Sequence, residues 1–108
     1  MSSILISIKK YLGIEAEYDH FDSDIIMCVN TVFGILNQLG VGPTSGFQIT
    51  GNSETWNDFL GDRNDLATVK SFVYMKVKLI FDPPSNSFLI DSTNKILSEL
   101  EWRITNQA

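Results

Sequence analysis

The sequence contains few of the side chains that form covalent cross-links, bind metals or attack substrates. Its 108 residues include one cysteine, Cys28, and one histidine, His20. A single cysteine excludes an intramolecular disulfide and a multi-cysteine zinc site, and it favours a reducing compartment. His20 has no second histidine or cysteine at ligand spacing, and Cys28 lies at the edge of an apolar stripe, where we interpret it as a small buried hydrophobe. We therefore expect no catalytic residues, no metal site and no cofactor.

Long hydrophobic runs are also missing. No segment approaches the ~20 apolar residues of a membrane-spanning helix, and the first residues lack the basic, apolar and small-residue regions of a signal peptide. These absences predict a soluble protein of the cell interior that has no membrane partner.

Positive charge is scarce as well. Eight Lys and Arg stand against 13 Asp and Glu, which gives a formal net charge of −5. This balance disfavours tight binding to nucleic acid, because Lys and Arg contacts with phosphates supply most of that affinity. A helix-turn-helix around Leu12–Ile14 is disfavoured too, since the next helix opens with Asp22 and Asp24. We interpret the five acids within residues 15–24 as a solvated loop and helix start, with an interaction surface as the alternative.

Apolar and aromatic residues, in contrast, are plentiful at 44% and 11% of the chain. This content excludes an intrinsically disordered protein. With 108 residues, the chain is expected to form one domain over residues 1–108 that folds without metals or disulfides.

Hydrophobic periodicity predicts an all-α subunit of four helices. The expected helices are Ser3 to Leu12, Asp22 to Leu39, Asp65 to Phe81, and Ser85 or Ser87 to Thr105. We interpret Asp22 as the N-cap of the second helix, and Gly13 and Gly40 as the ends of the first two. The third helix must stop at Asp82-Pro83-Pro84, because proline cannot continue the hydrogen-bond ladder.

Residues 40–64 are expected to form a long irregular loop between helices 2 and 3. The segment has five glycines and one proline, and Phe47-Gln48-Ile49 alternates in the manner of a strand, so a small β-hairpin turned at Thr50–Asn52 is one interpretation. Thr55 is placed to cap a short helical turn. Three aromatic residues in this loop, Phe47, Trp56 and Phe59, require a surface to pack on, in the subunit or in a partner.

The third helix is apolar around most of its circumference. Such a helix is central to its fold or is covered by another subunit. Lys70 and Lys76 lie near its apolar side, where we interpret them as extended stems with their charges in water; ion pairs between subunits are the alternative.

The fourth helix predicts the clearest contact surface. Its core stripe is expected to consist of Leu89, Ile96, Leu97, Leu100 and Ile104. Phe88 and Trp102 fall roughly opposite this stripe, where they form either a protein interface or a layer beneath the long loop. The candidate residues for a subunit or portal interface are Phe88, Trp102, Phe47, Trp56 and Phe59.

Four strings in the sequence, taken together, resemble one known family. They are QLGVGP at residues 38–43, WNDFLG at 56–61, VKSFVYMKVKLIFDPP at 69–84 and LSELEWRI at 97–104. The third string is the most specific, and the resemblance covers about residues 3–105. The pattern is similar to the head–tail connector (adaptor) proteins of long-tailed, siphovirus-type phages and prophages of Gram-positive bacteria, which are often labelled DNA-packaging proteins.

This resemblance implies an all-helical virion protein without catalytic residues. Such subunits assemble as a ring of about twelve copies beneath the portal. The ring extends the DNA channel and offers a docking surface to the next tail-completion or head-closure protein. DNA passes through without specific binding, and assembly takes place in the host cytoplasm. The alternatives are a DNA-packaging accessory or small nucleic-acid-binding regulator, and a small helical interaction module.

Overall fold

Five α-helices follow one another in the computed structural model, which describes residues 3–62 and 66–107. They are α1 (Ile4–Leu12), α2 (Asp22–Gln38), α3 (Trp56–Leu60), α4 (Leu66–Phe81) and α5 (Ser87–Gln107). The all-α prediction is confirmed, and the four expected helices are α1, α2, α4 and α5. The short α3 forms within the expected loop, at the turn that Thr55 was predicted to cap. Asp65, the expected first residue of the third helix, lies outside the described residues.

The first helix begins and ends where its sequence predicts. The Ser3 hydroxyl accepts a hydrogen bond from the Ile6 N–H at 3.3 Å, which satisfies one of the free donors at the start of α1. Gly13 follows Leu12 with a φ of 80°, and its N–H returns to the Lys10 carbonyl at 3.1 Å. This left-handed conformation is accessible to glycine without strain, so α1 ends there.

The start of α2 differs from the prediction in its chemistry. Phe21, not Asp22, occupies the N-cap position, and no side chain caps this end. Asp22 lies inside the first turn, and its carboxylate pairs instead with the Lys9 ammonium at 2.8 Å. Lys9 is buried and also donates to the Ala16 carbonyl at 2.9 Å. The ion pair joins α1 to the start of α2, and the interpretation of Asp22 as a cap was wrong because its carboxylate faces Lys9.

Helix α4 is the centre of the subunit, which agrees with its nearly uniform apolar sequence. It packs against α1, α2 and α5, and its buried face is formed by Val69, Phe72, Val73 and Val77. Helix α5 packs on α4, and only Leu97 and Ile104 of its side chains are buried among the residues described. The core therefore lies between α1, α2, α3 and α4, and α5 flanks it.

The connection between α2 and α3, residues 39–55, contains no β-hairpin. The only bridge in residues 3–62 and 66–107 is an isolated one between Ser3 and Thr55. Ile49 does pair its main chain in both directions, but with a side chain: the Asn30 amide donates to the Ile49 carbonyl at 3.0 Å and accepts from its N–H at 2.8 Å. Asn30 occupies the place that a second strand would take, so the hairpin prediction was wrong.

Candidate assembly surface

Helix α5 carries the most exposed aromatic side chains of the structure. Phe88 is 72% exposed and Trp102 is 66% exposed. They are fourteen residues apart, which corresponds to about 21 Å along the helix. Packing beneath the long connection, the alternative for these two residues, is excluded by their exposure. Their role as an interface remains a prediction.

The expected core stripe of α5 is only partly buried. Leu97 and Ile104 are buried and Leu100 is half-buried, but Leu89 and Ile96 are 49% and 48% exposed. The prediction for Leu89 and Ile96 was wrong because α4 covers only one edge of the stripe. On the helical wheel, these two residues lie on the flank next to Leu100, about 100° from the direction of Phe88.

A shallow apolar groove of about 210 Å³ adjoins this flank. Its lining consists of Leu89 and Thr93 of α5, Met75, Lys78 and Leu79 of α4, Tyr11 of α1, and Pro84. Tyr11 stacks on Tyr74 with ring centroids 5.1 Å apart, which holds it at the edge of the groove. The subunit thus exposes two apolar areas on different sides of α5. We call them the groove flank (Leu89, Ile96 and the groove) and the outer face (Phe88 and Trp102).

The three aromatic residues predicted in the loop lie elsewhere. Trp56 and Phe59 are buried and Phe47 is half-buried, and all three surround Phe33 of α2. The ring of Phe33 stacks on Phe59 at 4.2 Å and meets Phe47 edge-on at 5.7 Å. Trp56 and Phe59 therefore have a packing role within the subunit, and the exposed candidates for an interface are Phe88 and Trp102.

Trp56 is held by polar contacts as well as by packing. Its indole N–H donates to the Ser7 hydroxyl of α1 at 2.9 Å. The Lys70 ammonium lies 5.4 Å from the centre of the indole ring, a cation–π distance. The charge of the half-buried Lys70 thus lies over an aromatic face, a contact that the expected stem with its charge in water does not include. Lys76 is half-buried on the same helix.

The residues with potential chemistry are isolated from one another. His20 is exposed and contacts the rings of Tyr18 and Phe21. Cys28 is half-buried, and burial, followed by the nearby Asp24 carboxylate, raises the pKa of its thiol. A thiol of raised pKa is a poor nucleophile at neutral pH. Within residues 3–62 and 66–107, no three His, Cys, Asp or Glu residues stand close enough to hold a metal ion.

Two important side chains were not identified from the sequence, Lys9 and Asn30. Lys9 follows the buried Ile8, and the charge of Lys9 conceals that its position belongs to the apolar side of α1. Asn30 is a half-buried residue of α2, and its hydrogen-bond partner, Ile49, lies nineteen residues away. A stripe of apolar residues identifies a helix face and carries no signal for a polar side chain that binds a distant main chain.

Comparison with known proteins gives one match. The chain matches the family described as phage connector protein over residues 4–108. No curated protein and no solved structure matches it. None of the described helices has the length and apolar character needed to cross a membrane. Because the family match takes in nearly the whole sequence, the chain belongs to the phage connector proteins, structural proteins of the bacteriophage head–tail junction.

Proposed function

We propose that the chain is one subunit of a ring of about twelve copies that closes beneath the portal. The ring extends the DNA channel and presents the docking surface for the next tail-completion or head-closure protein. Residues 1–108 act as a single connector domain without catalytic role or cofactor. Assembly takes place in the host cytoplasm, and the ring remains at the head–tail junction of the virion.

The observation that carries the proposal is the pair of separate apolar areas on α5. A ring of identical subunits is built from head-to-tail contacts, so each subunit needs two different patches that fit one another. The groove flank and the outer face point in different directions from the same helix. Large aromatic side chains at the centre of an interface contribute much of its binding energy. We assign Trp102 and Phe88 to the face that enters the neighbouring subunit.

The charge of the chain supports a channel through which DNA moves freely. A net charge of −5 gives little general attraction for phosphates. A cationic channel would instead retain the DNA that it must release. The acidic segment at residues 15–24 is a candidate for the channel wall, because most of its side chains are exposed.

The test is co-sedimentation of the purified protein with DNA-filled, tail-less heads of the same phage. We expect about a dozen copies per head at a single vertex. Trp102→Ala and Phe88→Ala should reduce the number of bound copies while the free subunit keeps its melting temperature. Met27→Ala is the matched control, because Met27 is a large apolar residue of α2 that is 70% exposed and distant in sequence from α5.

Three results would contradict the proposal. One is the absence of binding to heads together with a salt-resistant shift of naked DNA, which favours a nucleic-acid-binding accessory. Another is full binding by Trp102→Ala and Phe88→Ala. The last is a large fall in the melting temperature of both variants, which would place these residues in the core of the subunit.

A further inference from the structure

A polar cleft of about 370 Å³ separates the middle of α2 from the connection that follows it. Asn30, Gly34 and Asn37 line the side of α2, and Ser45, Phe47 and Gln48 line the opposite side. None of the lining residues is charged, although the chain as a whole is acidic. The cleft therefore offers hydrogen bonds without a counter-charge, which suits a neutral ligand.

The α2 side of the cleft already binds main-chain groups. Asn30 forms its two hydrogen bonds with the N–H and C=O of Ile49, and the Asn37 amide donates to the Pro43 carbonyl at 3.1 Å. The two asparagines are seven residues apart and lie on one face, which spans about 10.5 Å along the helix. This face is thus suited to an extended backbone.

The opposite side of the cleft has a free main-chain edge. In the described parts of the chain, the N–H and C=O groups of Phe47 form no hydrogen bond, and in an extended segment they point to the same side as those of Ile49, toward α2. Burial alternates along this segment, with Gln48 and Thr50 exposed and Ile49 buried, as in a strand that covers a core with one face. An unpaired edge of this kind accepts an additional extended chain.

Gly34 leaves the middle of the cleft open. Glycine within a helix lowers its stability relative to alanine, so a reason for its presence is needed. The fold itself provides none: a Cβ built at Gly34 would meet no atom within 4 Å, and its φ is not positive. A bare helix backbone does allow another chain to approach closely.

We propose that this cleft binds an extended, uncharged peptide segment of another protein, which pairs with the main chain of Phe47 and passes over Gly34. The span from Asn30 to Asn37 accommodates about three residues of extended chain. The main chain of the segment supplies the hydrogen bonds, and its side chains are uncharged because the cleft has no group to neutralise them. The site shares no lining residue with α5, so the inference goes beyond the proposed ring contact.

The test is a titration of the ¹⁵N-labelled protein, followed by NMR, with an acetylated and amidated Thr-Val-Thr-Val-Thr peptide. We expect shifts of the side-chain amides of Asn30 and Asn37 and of the main-chain amides of Gly34 and Phe47. A Thr-Pro-Thr-Pro-Thr peptide, which lacks two N–H donors, should bind at least about tenfold more weakly, the loss expected for one missing hydrogen bond.

Variants separate the cleft from the rest of the surface. Gly34→Trp fills the cleft and should abolish the shifts, whereas Met27→Trp adds the same side chain to an exposed position of α2 outside the cleft and should preserve them. Circular dichroism verifies the helix content of each variant.

The inference is overturned if the valine peptide causes no shifts at millimolar concentration, if the proline peptide binds equally well, or if Gly34→Trp leaves the shifts unchanged. It is also overturned if Gly34→Trp dissociates a self-assembled form of the chain, because the occupant is then a second copy. The titration uses the free subunit, so a failure to bind the peptide does not bear on the binding of the protein to heads. In the same way, a failure to bind heads does not bear on the result of the titration.

Discussion

The segment between α2 and α4 and the helix α5 both carry large aromatic side chains, but the first buries them in the core and the second leaves them exposed to solvent. The segment from Leu39 to Thr55 is rich in glycine and irregular, and the short α3 that follows it buries Trp56 and Phe59 against Phe33. Helix α5 is regular over 21 residues and leaves Phe88 and Trp102 exposed. The short α3 thus completes the core, and the long α5 retains an exposed aromatic surface that is available for assembly.

The largest expected difference between the two regions is in stability. Phe59→Ala should lower the free energy of unfolding by about 3–5 kcal/mol, because it leaves a cavity beside Phe33. Phe88→Ala is the matched substitution on α5 and should change it by less than about 0.5 kcal/mol. Urea unfolding followed by circular dichroism measures both. Equal effects of the two substitutions would show that α5 also packs into the core.

A second comparison uses two glycines, one in the connection and one in α2. Gly42 has a φ of +86°, and a Cβ there would lie 2.5 Å from Cε1 of Phe59. Gly42→Ala should therefore destabilise the subunit by about 1–3 kcal/mol.

The same substitution at Gly34 should have the opposite effect on stability. Gly34→Ala adds a methyl group in open space within a helix, so it should stabilise the subunit by about 0.5–1 kcal/mol. Thermal melts of the two variants and of the unchanged protein show whether each substitution raises or lowers the stability. A stabilised Gly42→Ala variant would mean that the connection moves freely over Phe59.

The smallest effect concerns the turn before α3. The Glu54 carboxylate accepts hydrogen bonds from the Thr50 N–H at 3.0 Å, the Thr50 hydroxyl at 2.8 Å and the Gly51 N–H at 3.4 Å. Burial by itself raises the pKa of Glu54, but these hydrogen bonds to its charged form outweigh burial and hold the pKa below its usual value.

The sign of the pH dependence follows from this lowered pKa. The charged form stabilises the fold fully above the pKa of the unfolded chain, and the contribution is lost as pH falls through the lower pKa of the folded state. The stability difference between the unchanged protein and Glu54→Gln should therefore be constant near pH 7 and shrink below about pH 4. A difference that is independent of pH from 7 to 3 would show that the carboxylate charge does not stabilise the turn.

The sequence predicts the helices well because their signals are local. Gly13 ends α1. The proline pair that follows Asp82 ends α4 at Phe81, the residue before Asp82. The periodicity of α5 also places Phe88 and Trp102 opposite the apolar stripe, but it leaves open whether the long loop covers them. It fails for Leu89 and Ile96, because a stripe shows which residues share a face and not how far the neighbouring helix extends over it.

The connection was less predictable because its contacts are distant in sequence. Alternation at residues 47–49 indicates a strand, and the buried Ile49 fits that pattern, but a side-chain amide of α2 takes the place of the second strand. The same reason accounts for Trp56, whose indole N–H finds Ser7 across 49 residues. Composition showed that the loop aromatics need a packing surface and could not show that the subunit provides it.

That long-range contact also has a consequence for the order of folding. Joining Ser7 to Trp56 closes a loop of 49 residues, at an entropic cost of about 3.4 kcal/mol plus a constant term. One hydrogen bond cannot offset this cost, so the burial of Ile4, Ile8 and Trp56 must occur in the same step. Helix α1 is synthesised before α3, so its contact with Trp56 is completed only when α3 has left the ribosome.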